Sequence, residues 1–271
     1  MDFDPQAIRA FEHQAWQGVA VRYGGTFAAA TTIFVDALLD AAGAGAQTRV
    51  LDVCCGPGYV AGAAAARGAA ATGLDFSTAM LEIARAAHPR LDFAQGDAEA
   101  LPFPDRSFGA AVSNFGIHHV PRPDAALAEM HRVLVPGGRA AFTTWPRPDS
   151  NPPWQLLFDA IRRHGNLAAA RAPPPSGSIN GEEACRAALA TAGFGDVATR
   201  VVRREWPVGS AQELVAALVN GTARTAALIN AQDPAALPAI EAHMAERAER
   251  YRQGDALRIP IASILAWGTK R

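Results

Sequence analysis

The sequence predicts a doubly wound α/β fold built on a mostly parallel sheet. Short apolar segments alternate with alanine-rich helical segments through the first half of the chain. This alternation is typical of βαβ units with right-handed crossovers. A glycine-rich turn at residues 56–58 separates the first apolar segment from the helical segment that follows it. In such sheets the ligand lies beyond the carboxyl ends of the strands.

Seven strands are predicted along the chain. Each is a short apolar or alternating run bounded by turn residues. They lie at residues 48–53, 70–74, 91–94, 110–115, 139–145, 196–207 and 258–267. Helices are predicted at residues 58–67, 123–134, 154–163 and 182–192, and Ser77 is the expected N-cap of a further one. Residues 5–42 are also expected to be helical, and residues 210–253 are expected to form two helices.

The helices at residues 5–42, 151–170 and 210–253 have no place inside a simple α/β repeat, so we expect them to form a cap over the site. The predicted organisation has three parts. An N-terminal helical cap segment covers residues 1–45, and the α/β core covers 46–145. A C-terminal half, 146–271, completes the sheet and carries cap insertions at about 146–180, which includes a proline-rich stretch, and at about 207–256.

Composition places the chain among globular proteins. It has 271 residues, 49% of them hydrophobic and 19% charged, and a net charge of −1, which argues against nucleic-acid binding. The sole lysine is Lys270, which excludes an interior Schiff-base or P-loop lysine. Three cysteines form neither a disulfide framework nor a metal-binding spacing, and we expect no metal. No signal peptide or membrane span is visible, so we expect a cytoplasmic location. We expect the protein to be a monomer or a homodimer.

Polar residues end four neighbouring strands of the predicted sheet: Asp52, Asp75, Asp97 and Asn114. Because parallel strands end at one edge, these side chains should lie close together. Residues 52–66 contain neither lysine nor arginine, although a turn that holds a pyrophosphate would gain from positive charge. The pattern favours a ligand whose hydroxyl groups donate hydrogen bonds to these carboxylates and whose positive charge the carboxylates offset.

Five motifs carry a resemblance to a known family. They lie at residues 50–58, 75–77, 96–103, 113–120 and 132–138. Together they resemble class I S-adenosylmethionine-dependent methyltransferases, in the small-molecule group that includes quinone-biosynthesis enzymes. The resemblance implies a Rossmann-like sheet of seven strands with the last strand antiparallel. It also implies S-adenosyl-L-methionine as cofactor, S-adenosyl-L-homocysteine as its product, and a small, apolar or aromatic acceptor methylated at oxygen, nitrogen or carbon.

The resemblance also assigns residues to the methionine part of the cofactor. Gly56 and Gly58 would let the backbone approach it, since glycine has no Cβ. Asp52 would face its ammonium group, and Asn114 and Phe115 would lie beneath it.

Other residues are assigned to the nucleoside part. Asp75 would accept hydrogen bonds from both ribose hydroxyls, and Phe76 would pack on the adenine. Asp97 would accept a hydrogen bond from the adenine amino group, while the backbone of Ala98 meets the ring edge. Tyr23, at the end of the first helix, would come down over the cofactor.

Cys54 departs from the family pattern, because relatives have glycine at this position. We expect a negative φ there, as for most side-chain-bearing residues, and a side chain that narrows the cofactor site.

The residues that would act on the acceptor are less defined. His118, His13 and Glu12 are the candidate general bases, whereas His119 is expected to be structural. Trp16 and Trp145 are expected to be pocket walls.

Two alternatives remain open at this point. Residues 56–61 formally match the G-x-G-x-x-A fingerprint of NAD-dependent oxidoreductases, with Asp75 at the ribose spacing. A dinucleotide would, however, place its pyrophosphate next to Asp52 with no compensating arginine. A non-catalytic, methyltransferase-like subunit that binds the cofactor or stabilises a partner is the second alternative.

Overall fold

The computed structural model describes residues 3–147, 150–169 and 179–271. Its centre is one mixed sheet with the strand order β3-β2-β1-β4-β5-β8-β6, and β7 pairs with β8. The strands are β1 Arg49–Val53, β2 Ala70–Asp75, β3 Asp92–Gln95, β4 Phe108–Asn114, β5 Leu134–Thr144, β6 Phe194–Val208, β7 Arg252–Gln253 and β8 Ala256–Lys270. Strands β1 to β5 are parallel, and β8 lies antiparallel between β5 and β6. The predicted fold class is confirmed, with the two-residue β7 added to the seven expected strands.

Helices cover both faces of the sheet and its carboxyl edge. They are α1 Pro5–Tyr23, α2 Ala28–Thr32, α3 Val35–Ala41, α4 Tyr59–Ala66, α5 Thr78–Ala87, α6 Pro123–Val133, α7 Pro152–His164, α8 Glu182–Thr191, α9 Ala211–Asn220, α10 Ala223–Asn230 and α11 Leu237–Ala248. Short 3-10 turns occupy Ile117–His119 and Glu249–Tyr251. The Ser77 side chain accepts a hydrogen bond from the Met80 amide at 3.2 Å, so Ser77 caps α5 as predicted.

The prediction of two helices over residues 210–253 is wrong. Three helices, a 3-10 turn and β7 lie there. Gly221 and Thr222 divide the region, because the Thr222 side chain accepts from the Thr225 amide and starts a new helix. Pro238 in the first turn of α11 marks another start. The proline-rich stretch at residues 171–178 lies outside the described residues.

Side-chain alternation along the strands fills a core on each face of the sheet. In β1, Val50 packs with Leu38, Ala61 and other residues of one cluster, whereas Leu51 and Val53 belong to the cluster on the opposite face. A parallel sheet covered on both faces in this way has strands that are apolar throughout. Only the strand ends can then carry polar chemistry.

A layer of helices closes over the carboxyl edge of the sheet; we call α1, α7, α9, α10 and α11 the cap helices. Helix α1 contacts α5 of the core as well as α9 and α10. Gln17 fixes the first of these contacts, since its Oε1 accepts from the Ala79 amide at 2.9 Å. Among the described residues, no helix has the length and apolar character needed to cross a membrane.

Candidate functional site

A cavity of about 450 Å³ lies between the carboxyl edge of the sheet and the cap helices. Small-molecule sites usually enclose roughly 300–1,000 Å³, so this volume suits a ligand of moderate size. One wall consists of the turns after β1, β2 and β4, and the other comes from α1, α7 and α10. The cavity therefore lies where the sequence places the ligand.

Asp52, near the end of β1, is a buried carboxylate with no ion-pair partner within the described part of the chain. Its Oδ2 accepts from the Ala61 amide at 3.0 Å, while its Oδ1 is buried without a hydrogen-bond partner among the described residues. Burial, with a further contribution from the charge of Asp75, raises the pKa of Asp52 to about 8. A cationic group in the cavity would therefore stabilise the ionised form of Asp52.

Asp75 ties the glycine-rich turn to the end of β2. Its Oδ2 accepts from the Gly56 amide at 2.8 Å, and its Oδ1 accepts from the Ser77 amide at 2.9 Å. Burial raises the pKa of this carboxyl above its ordinary value, and the backbone donors partly counter the effect. Each oxygen retains a lone pair, so Asp75 can accept further hydrogen bonds inside the cavity that it lines.

The expectation of a negative φ at Cys54 is wrong, because its φ is +58°. This left-handed residue turns the chain so that the Cys55 amide donates to the Leu74 carbonyl of β2 at 2.9 Å. Gly116 makes the geometry possible, since a Cβ at that position would lie 2.4 Å from the Cys54 Cβ. Cys54 lines the cavity, as expected, but in a conformation that glycine adopts more readily.

Gly56 and Gly58 differ in position. Gly56 lines the cavity, whereas Gly58 does not. Gly58 is the N-cap of α4 with φ +81°, and a Cβ there would lie 2.9 Å from the ring of Phe93. The structure thus places Gly58 behind the turn, where it permits close packing.

At the end of the cavity that contains Asp97, the cap contributes a cation that the sequence reasoning missed. Arg9 of α1 lies 2.9 Å from Asp97 and 3.0 Å from Glu99, and it lines the cavity together with Phe76 and Ala98. No motif marks Arg9. Only the packing of α1 over the strand ends brings it to Asp97.

Asn114 is held in place at the end of β4. Its Nδ2 donates to the Thr31 carbonyl at 3.1 Å, and its Oδ1 accepts from the Thr143 hydroxyl at 2.7 Å. The same hydroxyl accepts from the Phe115 amide at 3.0 Å. Asn114 and Phe115 both line the cavity, so their side chains form a fixed floor.

Aromatic rings form the half of the cavity next to this floor. Trp145 stacks on Phe115 with ring centroids 3.7 Å apart, and Trp154 lies 4.5 Å from Trp145. Phe27 meets Trp145 edge-on at 6.0 Å. Tyr23 adds a neutral phenol, because burial raises its pKa to about 12. Trp16 and Trp145 both line the cavity, as does Trp154, which the sequence did not single out as a wall.

A buried polar cluster joins the cap to this half. Glu12 of α1 is fully buried and accepts from Trp16 Nε1 at 3.1 Å. Its Oε2 lies 3.0 Å from His119 Nδ1, and its Oε1 lies 2.7 Å from Arg224 Nε. Burial raises the pKa of Glu12, but His119 and Arg224 more than offset that effect and hold the pKa below its ordinary value.

The three candidate bases lie in different surroundings. His118 lines the cavity, and burial, with the charges of His119 and Arg224, lowers its pKa well below the ordinary value. His13 packs edge-on against Phe76 at 5.4 Å and is not part of the cavity wall. Glu12 lies behind the wall, whereas His119, expected to be structural, lines the cavity.

A family model described as a methyltransferase domain matches residues 51–142. This segment contains the strand ends and turns that form the sheet side of the cavity. Residues 51–142 are a methyltransferase domain. The resemblance to class I methyltransferases that the five motifs carry is thereby confirmed.

A curated relative matches part of the chain. A demethylmenaquinone methyltransferase of Renibacterium salmoninarum is 43% identical over 115 residues, which are 42% of this chain and 48% of that protein. The chain thus spans about half the length of this curated relative.

Solved structures share the fold over most of the chain. The YcgJ protein of Bacillus subtilis has a TM-score of 0.56 at 20% identity, with 88% of this chain and 97% of that protein covered. The [4+2]-cyclase SpnF has a TM-score of 0.54 at 22% identity, with 88% and 81% covered. At these identities the two structures show the fold alone.

Proposed function

We propose that this chain is an S-adenosylmethionine-dependent methyltransferase that acts on a small aromatic acceptor. The observation that carries the proposal is a single cavity with two unlike halves. Carboxylates and the glycine-rich turn of the methyltransferase domain form one half, and stacked aromatic rings form the other. A cationic, hydroxyl-bearing cofactor fits the first half, and a planar apolar molecule fits the second.

The residues of the first half fit S-adenosylmethionine. Asp52 offers a buried Oδ1 without a partner among the described residues, which suits the ammonium group of the cofactor. Asp75 retains acceptor capacity for the ribose hydroxyls, and Gly56 leaves backbone exposed to the methionine part. Phe76, Asp97 and Ala98 would enclose the adenine. The cofactor would supply a methyl group on a positively charged sulfur.

The remaining residues exclude water and align the acceptor with that methyl group. Asn114 and Phe115 would hold the methionine part from below, and Tyr23 would close over it from α1. Cys54 would narrow the site between them. Methyl transfer is an in-line displacement, so alignment in a dry cavity supplies much of the acceleration.

An aromatic acceptor is favoured by the walls of the second half. Trp145, Trp154 and Phe27 present ring faces and edges to one space, and flat rings stack well on such surfaces. The name of the relative from Renibacterium salmoninarum refers to a quinone, which is a planar apolar ring. We propose an acceptor of that general class, without extending the relative's own substrate to this chain.

Calorimetry with S-adenosylhomocysteine and with NAD tests the cofactor assignment. We expect micromolar binding of S-adenosylhomocysteine, no binding of NAD, and loss of binding in Asp75→Asn. The Asp105→Asn variant is a matched control, because Asp105 is an exposed carboxylate paired with Arg132 away from the cavity. Binding of NAD, or equal binding by wild type and Asp75→Asn, would contradict the assignment.

A further inference from the structure

We propose that His119 is the general base that takes a proton from a hydroxyl group of the aromatic acceptor, and that Glu12 is the residue that positions it. This inference rests on the proposed methyltransferase function and names the acceptor group as an aromatic hydroxyl. It reverses the expectation that His119 is structural.

The contact with Glu12 fixes the tautomer of His119. The pKa of Glu12 lies below its ordinary value, so its carboxylate is ionised near neutral pH and can only accept hydrogen bonds. The ring nitrogen 3.0 Å away, Nδ1, must therefore carry a proton. In the neutral ring the lone pair is then on Nε2, which is the arrangement of a base oriented by a carboxylate.

The ring of His119 is held at the cavity wall. Trp16 meets it edge-on at 5.0 Å, and the His118 ring lies 4.1 Å away. The side chain keeps 16% of its surface exposed and lines the cavity that also contains the aromatic walls. Within the described part of the chain, Nε2 has no hydrogen-bond partner. An acceptor that stacks on Trp145 would share this cavity with the His119 side chain.

The charged and titratable neighbours of His119 favour this role over a role for His118. Glu12 of α1 lies on its Nδ1 side and stabilises a positive ring, whereas Arg224 of α10 is balanced by Glu12 at 2.7 Å. Burial lowers the pKa of His118, the charges of His119 and Arg224 lower it further, and its Nδ1 has no hydrogen-bond partner among the residues that the structure describes. Of the two rings, His119 is the one that has a carboxylate beside it, at 3.0 Å.

In the proposed step, the acceptor hydroxyl gives its proton to His119 Nε2. The acceptor oxygen forms a bond to the methyl carbon as that carbon's bond to sulfur breaks. The electron pair of the broken bond stays on sulfur, which becomes a neutral thioether. His119 then returns the proton to water.

The first test uses two acceptors of different acidity and three variants. Naphthol is un-ionised at neutral pH, whereas 2-hydroxy-1,4-naphthoquinone, whose hydroxyl is a vinylogous acid, is already ionised there. The His119→Asn variant keeps an N–H donor for Glu12 but cannot take up a proton, and Glu12→Gln removes the orienting charge. His243→Asn is the matched control, since His243 faces Asp159 at 3.4 Å outside the cavity.

For naphthol, we expect His119→Asn to lower kcat by about 10²–10⁴-fold, the usual size of general-base catalysis. The pH-dependent limb of kcat should be absent from the His119→Asn variant. For the hydroxynaphthoquinone, whose proton is already lost, kcat should change less than about tenfold, since no base is needed. Glu12→Gln should show a smaller loss with naphthol, and His243→Asn should behave as wild type.

Equal loss with both acceptors, or no loss with either, would overturn the proposal. So would a wild-type protein that binds S-adenosylhomocysteine but labels neither acceptor from radiolabelled S-adenosylmethionine. Absence of S-adenosylhomocysteine binding would instead contradict the methyltransferase function itself.

A second measurement uses the wild-type protein, so it does not depend on whether a variant folds. Nitrogen NMR of the histidine-labelled wild type with S-adenosylhomocysteine reports which ring nitrogen of His119 carries the proton. We expect the Nδ1–H form, and an Nε2–H form would overturn the assignment.

Discussion

Binding of S-adenosylhomocysteine should release a proton from Asp52. The pKa of this buried carboxyl is about 8 in the ligand-free protein. At pH 7 a group with that pKa is protonated in a ratio of about 10 to 1, so about 0.9 proton is bound. The ammonium group of the ligand, placed beside Oδ1, favours the ionised carboxylate. The bound complex should therefore hold Asp52 without its proton.

Calorimetry in two buffers of different ionisation enthalpy measures this release. The apparent binding enthalpy changes with buffer enthalpy, and the slope is the number of protons exchanged. The pKa of Asp75 is also raised, so other groups can contribute to the wild-type slope. The Asp52→Asn variant retains those groups, and the difference between the two slopes isolates Asp52.

We expect the slopes of wild type and Asp52→Asn to differ by about 0.9 proton at pH 7. The difference should shrink as the pH rises above the pKa of Asp52, because the proton is then lost before binding. Equal slopes at pH 7 would refute the reasoning that a buried, uncompensated carboxyl awaits a cationic ligand.

Three further predictions concern stability. Because the pKa of Asp52 is raised in the folded protein, this carboxyl binds more protons in the folded than in the unfolded state between about pH 4 and 8. The contribution of Asp52 to the free energy of unfolding therefore falls as the pH rises over that range. Asp52→Asn should therefore raise the Tm of the ligand-free protein more at about pH 8 than at about pH 5; equal shifts would be inconsistent with a buried charge. In urea unfolding, Gly58→Ala should lower the free energy of unfolding by about 2–3 kcal/mol, against about 1 kcal/mol for Gly137→Ala. Both glycines have φ near +80°, but only at Gly58 would the added Cβ lie within 3 Å of Phe93. Similar losses in the two variants would exclude this clash. Cys54→Gly should be about 1 kcal/mol more stable than Cys54→Ala because of the positive φ, and the reverse order in the same assay would contradict the strain.

Most of the sheet could be predicted from local patterns. The parallel strands are mostly short apolar runs bounded by turn residues, whereas β6 and β8 are 15 residues long and β6 alternates between apolar and polar side chains. The break between α9 and α10 was missed, because Thr222, the N-cap of α10, lies inside an alanine-rich run and gives a weak signal.

The sequence likewise predicted the sheet side of the candidate site, and on the cap side it named Tyr23 and Trp16 but not Arg9. Asp52, Asp75 and Asn114 each lie at the carboxyl end of a strand, so topology alone brings them to one edge. Arg9 and Arg224 reach the cavity only through helix packing, which leaves no trace in sequence spacing. The pairing of Glu12 with His119 joins residues 107 positions apart. The φ of Cys54 depends on the space beside Gly116, which also lies far away in sequence.

Transfer of a radiolabelled methyl group tests the central claim most directly. The wild-type protein, radiolabelled S-adenosylmethionine and an extract of small aromatic molecules should yield a labelled, organic-soluble product. The Asp75→Asn variant should yield none, and Asp105→Asn should match wild type. A wild-type protein that binds S-adenosylhomocysteine yet labels no product in this assay would contradict the claim and indicate a cofactor-binding protein without methyl transfer.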